Sequence, residues 1–295
     1  MLRLIVNADD FGESPFVNAA VFYAFRQGIV TSASLMVTAP AFEQAVALAR
    51  ACPGLRVGLH VVLLDGAYGS PCAPPAAVPH LVNRRGRFPD IGPLALGAYR
   101  AALRWWVRSG VRAEMQREIR AQVDRFLATG LPLDHLDSHY HLHAHPVFFD
   151  ALMDAAEEVG VRRIRLPVEP WGLALRLDRR RLGWKIASAA VLAVLGRRHR
   201  RQMARRGFPA LDGCLGILQA LCLSEDYLVR LLRALPEGTY ELHAHPRLDR
   251  PYGLRELRAL TSPRVRQVLV ERGVRLTTYS EVIPTACEPF PGPAP

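Results

Sequence analysis

No two cysteines in this sequence are spaced as Cys-x-x-Cys. The five present, Cys52, Cys72, Cys214, Cys222 and Cys287, are odd in number and scattered, so neither a disulfide framework nor a thiolate zinc site is indicated. No apolar run approaches the roughly 20 residues a membrane-spanning helix requires. At the N-terminus no charged region, apolar region and cleavage site follow one another, and a cytoplasmic protein is expected. Acidic residues are in deficit: 27 Asp and Glu stand against 38 Lys and Arg, for a formal charge of +11. Such an excess suits an anionic partner, whether nucleic acid, a phosphorylated substrate or a membrane surface. The basic residues interleave poorly with aromatics and no nucleic-acid motif occurs, which argues against nucleic acid. They are almost all arginine, which a GC-rich genome also produces, so charge alone discriminates weakly.

Half of the 295 residues are apolar, enough for one large α/β barrel or two modest domains. The most informative stretch is His135-Leu136-Asp137-Ser138-His139-Tyr140-His141-Leu142-His143-Ala144-His145. If extended, it presents Asp137 and five histidines on one side and Leu136, Tyr140 and Leu142 on the other. A surface His-rich tract is the bland alternative; the apolar alternate face argues instead for a half-buried functional segment. The five cannot all hold one ion. Zn–N bonds are about 2.0–2.1 Å, whereas alternate strand residues lie about 6.6 Å apart, so further ligands must come from elsewhere in the chain.

From the N-terminus, Leu2 to Ala8 reads as a strand that runs into Asn7-Ala8-Asp9-Asp10-Phe11-Gly12. Ser14-Pro15 then caps a helix through Gln27, closed by Gly28. Adjacent carboxylates at a strand's carboxyl end lie where βα folds place ligands, and like charges so close call for a cation or proton between them. Val30–Val37 reads as a strand, 41–51 as a helix and 55–62 as a strand carrying His60. Taken singly, His60 would be a core histidine; the other clusters favour a ligand. Residues 64–93 are a long loop of the kind that forms lids. Leu94–Arg108, with Trp105-Trp106 among arginines, is a helix of core or interfacial character. Arg112–Thr129 is an amphipathic helix. After the His-rich run come a helix (Val147–Val159) and a strand (Arg162–Pro167). Residues 176–206 alternate basic, apolar (Trp184–Leu195) and basic, which suits either an anionic membrane surface or a core helix with solvated ends. Ser224–Leu235 is helical. Thr239–Pro246 reads as a strand with Glu241, His243 and His245 on one face. Two helices and a strand (Val274–Tyr279) follow, and the Pro-rich tail 284–295 is expected to be disordered.

Alternating strands and helices, with polar residues closing each strand, predict a parallel α/β barrel with its site on one rim. Asp9, Asp10, His60, the 135–145 run, His243 and His245 fall near the ends of four strands. An Asp/His/His set without thiolate suits a divalent cation, Zn²⁺ more naturally than Mg²⁺. Three protein ligands leave room for a water that the metal acidifies, while a spare carboxylate and a spare histidine can move protons. That combination can hydrolyse an amide.

Four motifs, Asn7-Ala8-Asp9-Asp10-Phe11-Gly12, Gly58-Leu59-His60, Asp137-Ser138-His139 with His141 and His143, and Glu241-Leu242-His243-Ala244-His245-Pro246, resemble in order those of the YdjC-like carbohydrate deacetylases. The resemblance spans residues 1 to about 250. It implies a distorted TIM-like (β/α) barrel over 1–283, a single domain with insertions at about 64–111 and 170–206, and metal-dependent removal of an acetyl group from an N-acetylated amino sugar. Asp10, His60 and His139 would be metal ligands for Zn or Mg, Asp9 the general base and His245 the general acid; Asp9 and Asp10 could exchange roles. The chain is most similar to the hopanoid-biosynthesis-associated members, which implies an N-acetylglucosaminyl lipid as substrate and gives 176–206 a reason to touch a membrane. Ala244 replaces a usual cysteine, and His243 has no role to carry over. A chito-oligosaccharide deacetylase or a metallophosphoesterase-type hydrolase would use similar ligands; acetate or phosphate release separates them.

Overall fold

The computed structural model describes residues 1–90, 96–108, 110–180 and 182–284. In chain order the elements are β1 (Leu2–Phe11), α1 (Pro15–Gln27), β2 (Ser32–Leu35), α2 (Phe42–Arg50), β3 (Arg56–Val61), α3 (Leu96–Val107), α4 (Val111–Leu127), β4 (Leu133–Ser138), α5 (Pro146–Glu158), α6 (Trp171–Leu177), α7 (Leu182–Arg205), β5 (Gly213–Leu215), α8 (Glu225–Ala234), β6 (Gly238–Ala244), α9 (Pro251–Leu260), α10 (Pro263–Glu271), β7 (Arg275–Thr277) and α11 (Tyr279–Val282). The strands pair in parallel in the order β4-β3-β2-β1-β6-β5, with β7 against the first half of β1. β1 is the axis of the sheet, buried along nearly its whole length and paired with three strands. Such all-parallel strands are covered on both faces, so their apolar runs are continuous.

Local chemistry explains the first unit. Ser14 caps α1 by accepting from the Val17 N–H, and Pro15 supplies the first-turn geometry. The helix then buries Val17, Ala20, Val21 and Ala24, a spacing that keeps one face on the sheet. Full burial of each valine contributes roughly 1.5–3 kcal/mol.

The α/β architecture agrees with the distorted TIM-like barrel expected from the sequence. Three local expectations are corrected. The His-rich run is a strand only to Ser138; residues His139–Ala144 form 3-10 turns, with Tyr140 and His141 in left-handed backbone (φ 56° and 52°). Arg162–Pro167 makes a single bridge, Leu136 with Ile164, rather than a strand. Its neighbours nonetheless bond to both ends of the sheet: the Leu136 N–H donates to the Arg163 carbonyl at 2.9 Å, and the Cys214 N–H donates to the Val168 carbonyl at 2.8 Å. The apolar and second basic parts of 176–206 form one continuous helix, α7. The Trp pair divides, Trp105 being 4% exposed and Trp106 60%. The expected tail beyond 284 lies outside the described residues. Among the described residues no helix is long and apolar enough to cross a membrane.

Candidate active site

Strand register assembles the site. β3 and β4 pair His60 with Asp137, and the His60 Nδ1 lies 2.7 Å from the Asp137 Oδ1. That leaves the His60 Nε2 facing Asp10, 3.4 Å from its Oδ1. A carboxylate behind a histidine fixes its ring and tautomer, a pattern common to metal ligands. His139, the first residue past β4, brings its Nδ1 to 2.9 Å from the same Asp10 oxygen. Asp10 reaches this point because the penultimate residue of β1 is left-handed: its own φ is 66°, an uncommon conformation for a residue other than glycine. Gly12 completes the turn at φ 97°, and its N–H donates to the Asn18 Oδ1 at 2.8 Å.

The ligand atoms of Asp10, His60 and His139 all lie within 4.8 Å of one another. The Asp10 Oδ1 is buried without a hydrogen-bond donor. Burial pushes the Asp10 carboxyl up, but His139 and His60 beside it hold it well below the usual carboxylate range. A charged oxygen between two imidazole nitrogens is a donor set that fits a divalent cation, and its N/N/O composition suits zinc better than magnesium.

Asp9 faces elsewhere. Arg165 grips it with two hydrogen bonds, Nη1 to Oδ2 at 2.8 Å and Nη2 to Oδ1 at 2.7 Å, and the Asn7 Nδ2 donates to Oδ1 at 2.7 Å. Burial raises the Asp9 carboxyl and Arg165 outweighs it, so Asp9 is held well below its ordinary value. The same guanidinium lies 2.8 Å from Asp137 and 2.7 Å from Glu241. Burial alone would lower the Arg165 pKa; three surrounding carboxylates keep it raised and charged. Tyr279 donates to the other Glu241 oxygen at 2.6 Å.

On the β6 side, His243 Nδ1 and His245 Nε2 lie 3.7 and 4.0 Å from the Asp9 Oδ2. Glu256 stands 3.7 Å from the His245 Nδ1 and accepts the His245 backbone N–H at 2.6 Å. Burial would lower the His245 pKa; Glu256 overrides it and lifts the ring to about 9. His243 pairs with His141 at 3.2 Å between their Nε2 atoms, and burial presses His243 down to about 3.

All five sequence-predicted residues, Asp9, Asp10, His60, His139 and His245, therefore meet on one rim. The other histidines of the first run do not join Asp10. His135 is buried between Asp134 (3.0 Å) and Ser34 (3.1 Å) and stacks on Tyr279. It fits because position 58 is glycine, where a Cβ would sit 2.5 Å from the His135 ring. His143 bonds to the Ser138 Oγ at 2.6 Å and the Arg165 carbonyl at 3.0 Å. His145 packs against Trp105 and Trp106. Sequence reasoning missed Arg165. Tyr68 and Tyr140 were also not singled out as site residues: their rings flank His139, and the Tyr140 hydroxyl donates to the Asp65 Oδ2 at 2.9 Å.

A family model described as YdjC-like protein matches residues 3–271. The chain belongs to the YdjC-like family. This YdjC-like protein is 36% identical over 290 residues to a carbohydrate deacetylase of Geobacillus stearothermophilus, covering 94% of this chain and 96% of that one. It is 30% identical over 299 residues to a chitooligosaccharide deacetylase of Serratia marcescens, covering 95% and 98%. A crystal structure from Enterococcus faecalis V583, provisionally described as a cellobiose-phosphate cleavage protein, superposes with a TM-score of 0.73 at 25% identity, covering 95% of this chain and 98% of that one.

Proposed function

We propose that this protein is a carbohydrate N-deacetylase that hydrolyses the acetamide of an N-acetylated amino sugar. The observation that carries the reading is the convergence of Asp10, His60 and His139 on one point, with Asp9 and His245 beside it at 4.0 Å from one another. Names of the relatives from Geobacillus stearothermophilus and Serratia marcescens support the same chemistry.

In this reading Asp10, His60 and His139 hold a divalent cation. Bound there, the ion would polarise the acetyl carbonyl and acidify the attacking water. Asp9 accepts that water's proton; Arg165 and Asn7 fix the orientation of its carboxylate. His245, protonated at neutral pH because Glu256 lifts it to about 9, donates to the departing amine. Acetate and a free amino sugar leave. The separate surroundings of the two aspartates support Asp10 as ligand and Asp9 as base. Replacing Asp9 by Asn is expected to lower deacetylation of chitobiose about 10²–10⁴-fold with the fold intact; full turnover in that variant would sink the assignment.

The finer proposal is a lipid-linked acceptor, an N-acetylglucosaminyl glycolipid of the hopanoid type, reached by docking on an anionic bilayer. α7 supports it. One outward side of that helix exposes Trp184, Ala187, Val191 and Val194, then Arg198, Arg201 and Arg205, and no acidic residue occurs in the helix. Apolar side chains beside arginines match the interface of an anionic bilayer. Co-sedimentation with anionic vesicles that weakens with salt, and that fails when Trp184, Val191 and Val194 are all changed to Ser, is the expected result. Acetate release from chitobiose alone, with none from glycolipid vesicles, would favour the oligosaccharide acceptor.

A further inference from the structure

We infer that Asp9, His243 and His245 form a second divalent-cation site, suited to zinc, whose filling switches off the hydrolysis proposed for the first. The ligand atoms of these three residues also lie within 4.8 Å of one another. His243 Nδ1 and His245 Nε2 stand 3.7 and 4.0 Å from a single Asp9 oxygen. Tetrahedral ligands at about 2.1 Å from zinc lie about 3.4 Å apart, so the two separations from Asp9 need to close by only a few tenths of an ångström.

Three independent features point to a cation. His243 is 2% exposed, yet its Nδ1 is buried without a hydrogen-bond partner, as is the Nδ1 of His245. Such atoms are costly to leave bare. When the His243 Nε2–H donates to His141, its Nδ1 becomes a lone pair facing the Asp9 carboxylate, and two electron-rich atoms so placed are drawn together by a cation. Next, Glu256 stands behind the His245 Nδ1 at 3.7 Å and leaves Nε2 aimed at Asp9, a looser form of the 2.7 Å hydrogen bond by which Asp137 holds His60 in the first set. The carboxylate–histidine pair is thus present twice. Finally, Asp9, Asp10, Asp137 and Glu241 belong to one network with a single guanidinium, Arg165. One divalent ion still leaves that network negative. Access runs through His245, whose side chain keeps 18% of its surface open.

Ligation would occupy the two groups that the proposed reaction uses for proton transfer. A carboxylate bound to a cation accepts no proton, and an imidazole bound through Nε2 donates none. The inhibitory half of the inference rests on the roles proposed for Asp9 and His245; the binding half does not.

Metal-stripped protein titrated with Zn²⁺ alone, with bound metal counted after desalting, provides the test. Wild type is expected to hold two ions per chain, and His139→Ala and His243→Ala one each. His243→Ala should also weaken the second site by at least about tenfold in a calorimetric titration. Chitobiose turnover should fall as zinc passes the first equivalent, and His243→Ala should need about tenfold more zinc for the same loss. Wild type that saturates at one ion overturns the inference, as do His243→Ala and His243→Gln variants that both still bind two. Two ions with no acetate release under any condition would keep the cation site and remove the deacetylase reading. One ion with good turnover would do the reverse.

Discussion

Two stretches share a histidine-alternating pattern and fold differently. Glu241 to Ala244 stays in β6 because it has a strand on each side: β1 pairs with it from Leu2 to Ala8 and β5 pairs with Tyr240, Glu241 and Leu242. Glu241 and His243 consequently keep to one face, and His245 follows directly after the strand. The run that starts at His135 has β3 on one side only as far as Ser138 and a single bridge on the other. Beyond Ser138 the ladder stops, Tyr140 and His141 turn left-handed, and the histidines disperse. His139 goes to Asp10, His141 to His243 and His143 into the wall beneath Arg165. Alternation in sequence becomes a shared face only where neighbouring strands hold the backbone extended.

The sharpest way to break the comparison is to remove one histidine at a time from the dispersed run. His139→Ala should reduce chitobiose deacetylation by more than the about 10⁴-fold that bounds a single proton-transfer group, with unchanged far-ultraviolet circular dichroism. A mild defect would show that His139 is no ligand.

Next in size is Arg165→Leu, which strands Asp9, Asp137 and Glu241 without their shared counter-charge. Loss of one partner from such a buried network costs about 3–5 kcal/mol, readable as a lower urea midpoint; a midpoint within error of wild type would contradict the network.

The extended run can be probed through what secures its edge. Glu169 accepts the N–H groups of Gly216 and Leu218, just past β5, at 3.0 and 2.7 Å. Burial outweighs these bonds and lifts Glu169 to about 7 from an ordinary 4.5. The folded chain therefore holds this proton more tightly than the unfolded chain does. The resulting stability is complete below pH 4.5 and is withdrawn as pH rises through 7. Relative to Glu169→Gln, wild type should lose on the order of 3 kcal/mol across that window; parallel stability–pH curves for the two proteins would refute it.

The smallest effect expected is from His143→Ala. It removes bonds to Ser138 and the Arg165 carbonyl and should cost about 1–3 kcal/mol, seen as a lower melting temperature. Turnover at saturating metal should suffer far less than in His139→Ala.

Much of the rim was legible because strands in βα folds deliver their last residues to the same end. Asp9, Asp10, His60, His139 and His245 each stand at or just past such an end, so their meeting followed from position. Arg165 did not, because a basic residue between Ile164 and Leu166 looks like an exposed strand position. The signal was the surplus of carboxylates at 9, 137 and 241, which demanded a buried cation from somewhere. Left-handed Tyr140 and His141 leave no trace in residue type, since neither is glycine or asparagine. β5 is three residues long, below what alternation can reveal.

Arg165 belongs to the short link that joins the two ends of the sheet, between the carbonyls of Arg163 and Val168 that the flanking strands use. Electroneutrality at the rim and mechanical closure of the ring thus hang on the same few residues. A charge removed from Asp9 or Glu241 loosens the clasp, and a slack clasp lets the carboxylates drift apart. Transplanting this chemistry to another barrel would fail with the rim alone; the link must travel with it.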